Sequence, residues 1–209
     1  MDKDRYTSKV VISTWPVREE DPFHALLHEK GLEVLSMPLI QVNFIPFAFS
    51  GDANDYQWLV FTSKNGVRSF FGQHPPLPNA RIAVIGERTA GTLKAEGLQP
   101  DFTGSGKSGG RFSDELKPVI GTGQKVLLAL GNLAPDTLAD ELRGSNHVER
   151  VDVYETSLVS DVDPHIMKRI ADDDYDLIAV SSPSAVKNLY QQAETFFPRL
   201  RIVSIGETT

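Results

Sequence analysis

Cysteine is absent from this sequence of 209 residues. Its absence excludes disulfide bonds, thiolate nucleophiles and cysteine-ligated metals. No apolar run reaches the ~20 residues that a membrane-spanning helix requires. The segment Met1–Arg5 is mostly charged, whereas a secretory leader carries an apolar region close to its start. We therefore expect a cytoplasmic protein that has no membrane partner.

A basic surface is also missing. The formal net charge is −7, from 21 Lys and Arg residues against 28 Asp and Glu residues. Proteins that grip a phosphate backbone usually concentrate Lys and Arg on one face. No such cluster is visible in the sequence, so we expect no nucleic-acid partner. An anionic small molecule remains compatible with this charge, because backbone N–H groups at helix N-termini bind anions without a net positive protein.

What the sequence does contain is an internal repeat. Three segments recur in the same order about 120 residues further along the chain. The matching pairs are Trp58–Val67 with Leu177–Val186, Arg81–Glu87 with Arg201–Glu207 and, more weakly, Lys9–Ile12 with Lys125–Leu128. The second copy stops soon after its last match. We therefore expect about 30 residues of equivalent structure to be missing at the C-terminal end.

Most matched segments are short apolar runs that end in a Ser, Thr or Gly turn and precede a stretch with helical periodicity. Strands that alternate with helices form parallel sheets covered on both faces. The repeat thus predicts an α/β protein of two flavodoxin-like domains with parallel sheets, related by internal duplication. The predicted strands are Val10–Ser13, Glu33–Ser36, Trp58–Phe61, Ile82–Ile85, Val126–Leu130, Val148–Val153, Leu177–Val180 and Ile202–Ile205. The predicted helices are Glu19–Lys30, Asn65–Phe71, Glu87–Glu96, Phe112–Ile120, Pro135–Leu142, Pro164–Ile170 and Ser184–Glu194.

Three segments are similar to nucleotide or metal motifs but lack a required feature. Gly104–Ser108 is similar to a P-loop, but Asp101 stands where that motif needs its first glycine, so we interpret the stretch as a flexible surface loop. His24 and His28 are one helical turn apart, yet no carboxylate completes a metal set, and we expect a solvated helix face. Adjacent carboxylates such as Asp172–Asp174 rarely converge on one ion. We predict no metal and no cofactor.

Four turns between a strand and a helix carry hydroxyl groups or glycine. Any single turn of this kind is an ordinary helix N-cap. Four equivalent turns, however, put donor-rich helix starts at the carboxyl ends of parallel strands, where such sheets bind ligands. We therefore predict a site for a ligand with many carboxylates. Its candidate binding residues are Thr62, Ser63, Asn65, Gly86, Thr89, Ser181, Ser182, Ser184, Gly206, Thr208 and Thr209.

Taken in order along the chain, these features resemble the uroporphyrinogen-III synthase family. The segments that carry the resemblance are Pro38–Ile40, Trp58–Val67, Ala83–Ala90, Gly97, Val153–Thr156, Ser181–Val186 and Ile205–Thr209. Each motif is weak alone, whereas the ordered set spans nearly the whole chain and is specific. One departure is Trp15-Pro16, where family members often carry Arg-Pro, so a role for a basic residue there does not transfer.

The resemblance implies two domains joined by a two-stranded linker. One domain would hold both chain ends, residues 1–37 and 157–209, and the other would hold residues 42–152. The linker would consist of residues 38–41 and 153–156. Two thin crossings allow domains to change their angle, so we expect such a change on ligand binding.

The resemblance also implies an activity, as a cofactor-independent monomer of haem biosynthesis. The family's substrate is hydroxymethylbilane, a linear octacarboxylate that the enzyme closes to uroporphyrinogen III with loss of water and inversion of ring D. Loss of the hydroxyl leaves a reactive azafulvene, which is attacked through the substituted ring D position to give a spiro intermediate. Catalysis by such a cyclising hydro-lyase would therefore rest mainly on orientation.

Tyr154 matches the tyrosine of the family's Val-Tyr-x-Thr stretch, and it is the candidate catalytic residue. An ordinary phenol is protonated at neutral pH and can donate a proton to the leaving hydroxyl. A tyrosine after a strand also serves as a packing anchor. The alternative function is a non-catalytic two-domain sensor module that binds a tetrapyrrole or another anion.

Overall fold

The structure is a computed structural model that describes residues 9–15, 22–73, 77, 79–106, 108–180, 182–195 and 197–204. The chain divides into two compact units. One is formed by Met1–Gln41 together with Ser157–Thr209, and the other by Val42–Thr156. Within the described ranges, no helix combines the length and the apolar character needed to span a membrane.

Strands and helices alternate along most of the described chain. The strands are β1 (Val10–Ser13), β2 (Glu33–Ser36), β3 (Ile40–Phe44), β4 (Trp58–Phe61), β5 (Arg81–Val84), β6 (Phe102–Thr103), β7 (Lys125–Gly131), β8 (His147–Leu158), β9 (Leu177–Val180) and β10 (Ile202–Ser204). The α-helices are α1 (Pro22–Glu29), α2 (Lys64–Phe71), α3 (Glu87–Ala95), α4 (Gly109–Ile120), α5 (Thr137–Arg143), α6 (Pro164–Ala171) and α7 (Pro183–Ala193).

The discontinuous unit is built on a sheet with the strand order β10-β9-β1-β2. All three neighbouring pairs are parallel. Strand β1 is buried along its whole length. Its Val10 and Ile12 belong to one apolar cluster with Ile166 of α6 and Leu189 of α7. On α7, the buried Asn188 donates through Nδ2 to the carbonyl oxygens of Leu39 at 2.6 Å and Val159 at 2.8 Å.

The continuous unit is built on a sheet with the order β3-β8-β7-β4-β5-β6. The pairs β4–β5, β4–β7, β5–β6 and β7–β8 are parallel. Side chains of β4 alternate between two apolar layers: Leu59 and Phe61 face α2 and α3, whereas Trp58 and Val60 face α4 and α5. A parallel sheet covered on both faces needs strands that are apolar throughout. The predicted α/β class with parallel sheets is confirmed.

Apart from shifts of one residue at some strand ends, three strands differ from the prediction: β3 and β6 were not predicted, and β8 is longer. Strand β8 was expected to end at Val153, but it continues to Leu158 and therefore contains Tyr154. Strand β3 was not predicted, although Ile40, Val42 and Phe44 alternate with polar residues in the pattern of a half-buried strand.

Candidate active site

A cavity of about 330 Å³ lies at the carboxyl ends of β4, β5 and β7 in the continuous unit. This is the edge at which open parallel sheets bind ligands. Thr62, Ser63 and Tyr154 bring hydroxyl groups to its wall, and Leu130 and Pro135 contribute apolar surface. The cavity therefore offers a few polar groups in a mostly apolar setting, as small-molecule sites do.

Ser63 connects the start of α2 to Tyr154. Its backbone is extended, which is the conformation of an N-cap residue, and its Oγ accepts a hydrogen bond from Gly66 N at 3.0 Å. The same Oγ donates to Tyr154 Oη at 3.0 Å. Because a hydroxyl has one proton and two lone pairs, a phenol that accepts from Ser63 keeps its own proton for another acceptor. Tyr154 can thus donate to a group in the cavity.

The loop of residues 131–136 forms another part of the cavity wall. Arg150, on β8, donates to the carbonyl oxygens of Gly131 at 3.1 Å and Ala134 at 2.8 Å. It also pairs with Asp136 at 2.8 Å and Asp152 at 2.9 Å. Burial alone would lower the pKa of Arg150, but its hydrogen bonds and charge contacts with the two aspartates raise it. Arg150 therefore stays charged and holds the loop on β8.

The predicted ligand-binding residues of the first repeat separate into two groups. Thr62 and Ser63 line the cavity with Tyr154. Gly86 and Thr89 are buried, with Thr89 only 4% exposed, because the start of α3 packs against other residues. Asn65 is partly exposed in the first turn of α2. Asn65, Gly86 and Thr89 are outside the described lining of this cavity.

The second repeat contributes its candidates to the other unit. Ser182 is the N-cap of α7, where its Oγ accepts from Ala185 N at 3.1 Å. Ser184 is partly buried in the first turn of the same helix. Four further candidates, Ser181, Gly206, Thr208 and Thr209, lie outside the described residues.

The glycine-rich stretch after β6 is a surface loop, as expected, with Ser105, Gly106 and Ser108 exposed. Its backbone is hydrogen-bonded to β5 and to the residue that follows β5. Gly104 N donates to Val84 O at 2.9 Å, and Gly106 N donates to Ile85 O at 2.8 Å. A Cβ atom on Gly86 would lie 2.7 Å from the Cα of Gly106, so the two backbones are in close contact. These amides are already used within the protein and do not form a phosphate cradle.

His24 departs from the prediction of a solvated helix face. Its Nε2 lies 2.7 Å from the Oγ of the buried Ser13, so only His28 of the pair has an exposed side chain. In the part of the chain that the structure describes, no group of three or more His, Asp or Glu side chains is placed to hold a metal ion.

Three residues of this region were not predicted from the sequence: Gly131 and Asn132, which contact Tyr154, and Arg150, which bonds to Gly131. A glycine that directly follows a buried apolar strand was the available signal, because such a glycine often marks a close approach of another group. Arg150 gave a weaker signal as a charged residue within an otherwise half-apolar strand.

Comparison with known proteins supplies the context for this site. A family model described as uroporphyrinogen-III synthase HemD matches residues 21–209. The porphyrin biosynthesis protein HemD of Ruminiclostridium josui is 27% identical over 223 residues, covering 100% of this chain and 44% of that protein. The uroporphyrinogen-III synthase of Synechococcus elongatus is 25% identical over 199 residues, covering 88% of this chain and 74% of that protein. This chain therefore spans less than half of the first relative and about three quarters of the second.

Two solved structures share the fold. A uroporphyrinogen-III synthetase from Helicobacter pylori superposes with a TM-score of 0.64 at 19% identity, covering 95% of this chain and 84% of that one. A mutant uroporphyrinogen III synthase from Thermus thermophilus gives a TM-score of 0.62 at 20% identity, covering 97% and 86%. At these identities the likeness supports the α/β fold alone.

Proposed function

The chain belongs to the uroporphyrinogen-III synthase family, and we propose that it closes hydroxymethylbilane to uroporphyrinogen III with loss of water and inversion of ring D. The observation that carries the proposal for this chain is the cavity in which Tyr154 accepts a hydrogen bond from Ser63. In this proposal the protein acts as a cytoplasmic monomer without a cofactor. The alternative, a sensor that binds a tetrapyrrole without converting it, predicts binding without turnover.

The proposed chemistry begins at the hydroxymethyl group of the substrate. Tyr154 Oη donates its proton to the leaving hydroxyl, the C–O bond breaks, and water departs to leave a protonated azafulvene and the Tyr154 phenolate. The substituted carbon of ring D attacks the exocyclic methylene to form a spiro intermediate. The bond from that carbon to the methylene bridge of ring C then breaks, and the bridge bonds to the free α carbon of ring D, which closes the inverted macrocycle. The proton lost from the last ring carbon returns to Tyr154, so the protein ends the cycle unchanged. General acid help of this kind is typically worth ~10²–10⁴-fold.

The protein's larger task is to hold the chain ends of the substrate in the geometry of ring D attack. We propose that the start of α2, with Thr62 and Ser63, holds substrate carboxylates, because first-turn N–H groups favour negative charge. The equivalent turn of α7, with Ser182 and Ser184, is proposed as a second carboxylate-binding segment. The remaining candidates, Asn65, Gly86, Thr89, Ser181, Gly206, Thr208 and Thr209, stay predictions.

The two compact units support the proposed domain organisation, in which residues 1–37 and 157–209 form one domain and residues 42–152 form the other. The observed division falls after residue 41 and after residue 156, at the ends of the proposed linkers 38–41 and 153–156. Both units contain parallel strands followed by helices, as an internal duplication of a flavodoxin-like unit requires.

One assay tests both the reaction and the role of Tyr154. The protein is incubated with hydroxymethylbilane, the product is oxidised to porphyrin, and the two porphyrin isomers are separated and quantified. We expect isomer III from the parent and the uninverted isomer from heat-denatured protein. Tyr154→Phe keeps the ring but removes the donor, so its kcat should fall ~10²–10⁴-fold while its far-UV circular dichroism stays unchanged.

Tyr190→Phe is the matched control, because Tyr190 is 47% exposed on α7 and the one hydrogen bond described for its hydroxyl is a 3.4 Å bond to Glu194. The substitution keeps the ring and its contact with Phe197. It should turn over at the parent rate. Binding of hydroxymethylbilane without isomer III would favour the sensor over the enzyme. Parent turnover by Tyr154→Phe would show that another group protonates the hydroxyl.

A further inference from the structure

Strand β8 loses its regular register with β7 where Tyr154 lies. Leu130 pairs with Asp152, and the next residue, Gly131, pairs with Tyr154, so Val153 is an extra residue in a bulge. A regular strand alternates its side chains between two faces. Here, however, Val153 is buried in the apolar layer on the α2 side, and Tyr154 packs against the same layer. Because of the bulge, Tyr154 lies on the same face of the sheet as Val153, whereas regular alternation would place it on the opposite face.

The protein stabilises this irregular backbone through the bulged residue itself. The carbonyl oxygen of Val153 accepts from the hydroxyl of the buried Ser69 on α2, and from Ile45 N at 3.2 Å. Buried carbonyl groups that leave a sheet ladder need such replacement donors. The bulge is therefore a satisfied, fixed feature of the sheet.

Gly131 provides the space for the ring of Tyr154. A Cβ atom on Gly131 would lie 2.3 Å from Cζ, 2.6 Å from Cε2 and 2.7 Å from Oη of Tyr154. Contacts this short are not tolerated, so any larger residue at this position must displace either the ring or β7. Position 131 therefore requires glycine, because a side chain there would occupy the space of the hydroxyl end of the Tyr154 ring.

Neighbouring contacts prevent β7 and β8 from moving apart to relieve such a clash. Asn132 N donates to Tyr154 O at 3.1 Å. The Asn132 side chain accepts from Thr156 N at 2.9 Å and donates to Thr156 O at 3.4 Å. On the other side of Tyr154, Arg150 holds the carbonyl oxygen of Gly131. The strands are fixed on both sides, so a side chain at 131 would act on the phenol.

We propose that Gly131 is a positioning residue for the reaction, because its missing side chain determines where the Tyr154 hydroxyl lies relative to Ser63 and the cavity. This inference rests on the proposed function, in which that hydroxyl protonates the leaving group. A displacement of about 1 Å at a reacting group can cost ~10²-fold in rate. Gly131 touches no substrate in this account and acts only through Tyr154.

The test compares Gly131→Ala, Tyr154→Phe and the double variant in the isomer assay. We expect Gly131→Ala to lower kcat by ~10–10²-fold with KM within twofold of the parent. The double variant should be no slower than Tyr154→Phe, because the hydroxyl that Gly131 positions is already gone. Gly91→Ala is the matched control: among the described residues, a Cβ at Gly91 on α3 would have no heavy atom within 4 Å beyond its chain neighbours and the backbone of its own helix, and parent kinetics are expected.

The outcomes separate the inference from the function on which it rests. A parent protein that yields only the uninverted isomer overturns the proposed function. An active parent with an equally active Gly131→Ala overturns the inference alone, as does a double variant whose losses multiply. If Gly131→Ala does not fold, adding Tyr154→Ala should restore folding, because it removes the ring that clashes. Asn132→Ala then supplies the kinetic test, and we expect a lower kcat with an unchanged KM. Failure of that rescue, or parent kcat in Asn132→Ala, also refutes the assignment.

Discussion

Replacing Glu149 by Gln tests the hydrogen-bond cluster that fixes residues 50–56 to strand β8. The Glu149 carboxylate accepts from Ser50 N at 2.6 Å, from Ser50 Oγ at 2.7 Å and from Tyr56 Oη at 2.5 Å. Tyr56 is fully buried, and the ammonium of Lys125 lies 4.3 Å from the centre of its ring. The substitution keeps the shape of the side chain and removes its charge and one acceptor oxygen.

The size of the effect follows from these three bonds. A hydrogen bond to a charged group contributes ~1.5–3 kcal/mol, against ~0.5–1.5 kcal/mol for a neutral one. The amide oxygen of Gln can stay on Ser50 N, which turns its NH₂ group toward the two hydroxyl oxygens. A loss of about 1 kcal/mol per bond gives ~2–3 kcal/mol in total. For a unit of this size, each kcal/mol of lost stability lowers the Tm by ~4 °C, so this loss should lower the Tm by ~8–12 °C.

The same cluster makes this difference depend on pH. Burial by itself raises the pKa of Glu149, but the bonds from Tyr56 and Ser50 outweigh it, and the net pKa lies below the ordinary 4.5. A lowered carboxyl pKa adds stability above pH 4.5 that disappears as the pH falls through the folded value. Burial and the hydrogen bond to Glu149 raise the pKa of Tyr56 above its ordinary 10.0. The stability that Tyr56 contributes is therefore fully present below pH 10 and is lost as the pH rises from 10 through the raised pKa.

Thermal unfolding followed by circular dichroism at pH 7 and at pH 3 measures both effects. Glu155→Gln is the matched control, because Glu155 is on the same strand and makes only a 3.4 Å bond with Asn43. It should shift Tm by less than ~2 °C. The reasoning is refuted if Glu149→Gln unfolds within 2 °C of the parent at pH 7, or if the gap fails to narrow at pH 3.

Three further substitutions test other contacts by urea denaturation. Asn188→Ala removes both hydrogen bonds of a buried amide. Leu39 O keeps Val159 N as a donor at 3.1 Å, whereas the partly buried Val159 O loses the Asn188 donor, so the substitution should cost ~1–3 kcal/mol; a loss below ~1 kcal/mol would contradict this reasoning. Gly104→Ala places a Cβ 2.5 Å from the ring of Phe112 and should cost ~1–3 kcal/mol, whereas Gly91→Ala should be neutral or stabilising. Arg150→Met removes the ion pairs that hold the cavity loop, and it should cost ~1–3 kcal/mol, less in high salt; an unchanged midpoint would argue against that anchor.

The sequence was informative wherever the structure depends on local runs of residues. The bounds of β1, β2, β4 and β9 agree with their predictions, because each is a short segment that contains consecutive apolar side chains. The turn before α2 was predicted to bind ligand because an N-cap at a strand end is visible in the sequence as Thr62-Ser63. Both residues line a cavity, and their role in binding stays a prediction.

The rest depends on pairing between distant segments. Thr89 and Thr62 occupy equivalent turns, yet Thr89 is buried under its surroundings, and no local pattern distinguishes them. The orientation of Tyr154 depends on a bulge, which exists only in the register between β7 and β8. For the same reason Gly131 looks like an ordinary end of a strand until Tyr154 is placed against it.

The strand order of the discontinuous unit also determines when each part of the chain can fold. Strand β1 pairs with β9, and Val10 N donates to Asp176 Oδ2 at 2.7 Å across a separation of 166 residues. During synthesis, the continuous unit of residues 42–156 is complete before β9 has been made. The edge of the apolar strand β1 that pairs with β9 therefore stays unpaired while the middle of the chain folds. Unpaired apolar strand edges associate wrongly with other chains, and chaperones bind them. Chaperone binding to the nascent chain should therefore fall when β9 emerges from the ribosome and pairs with β1.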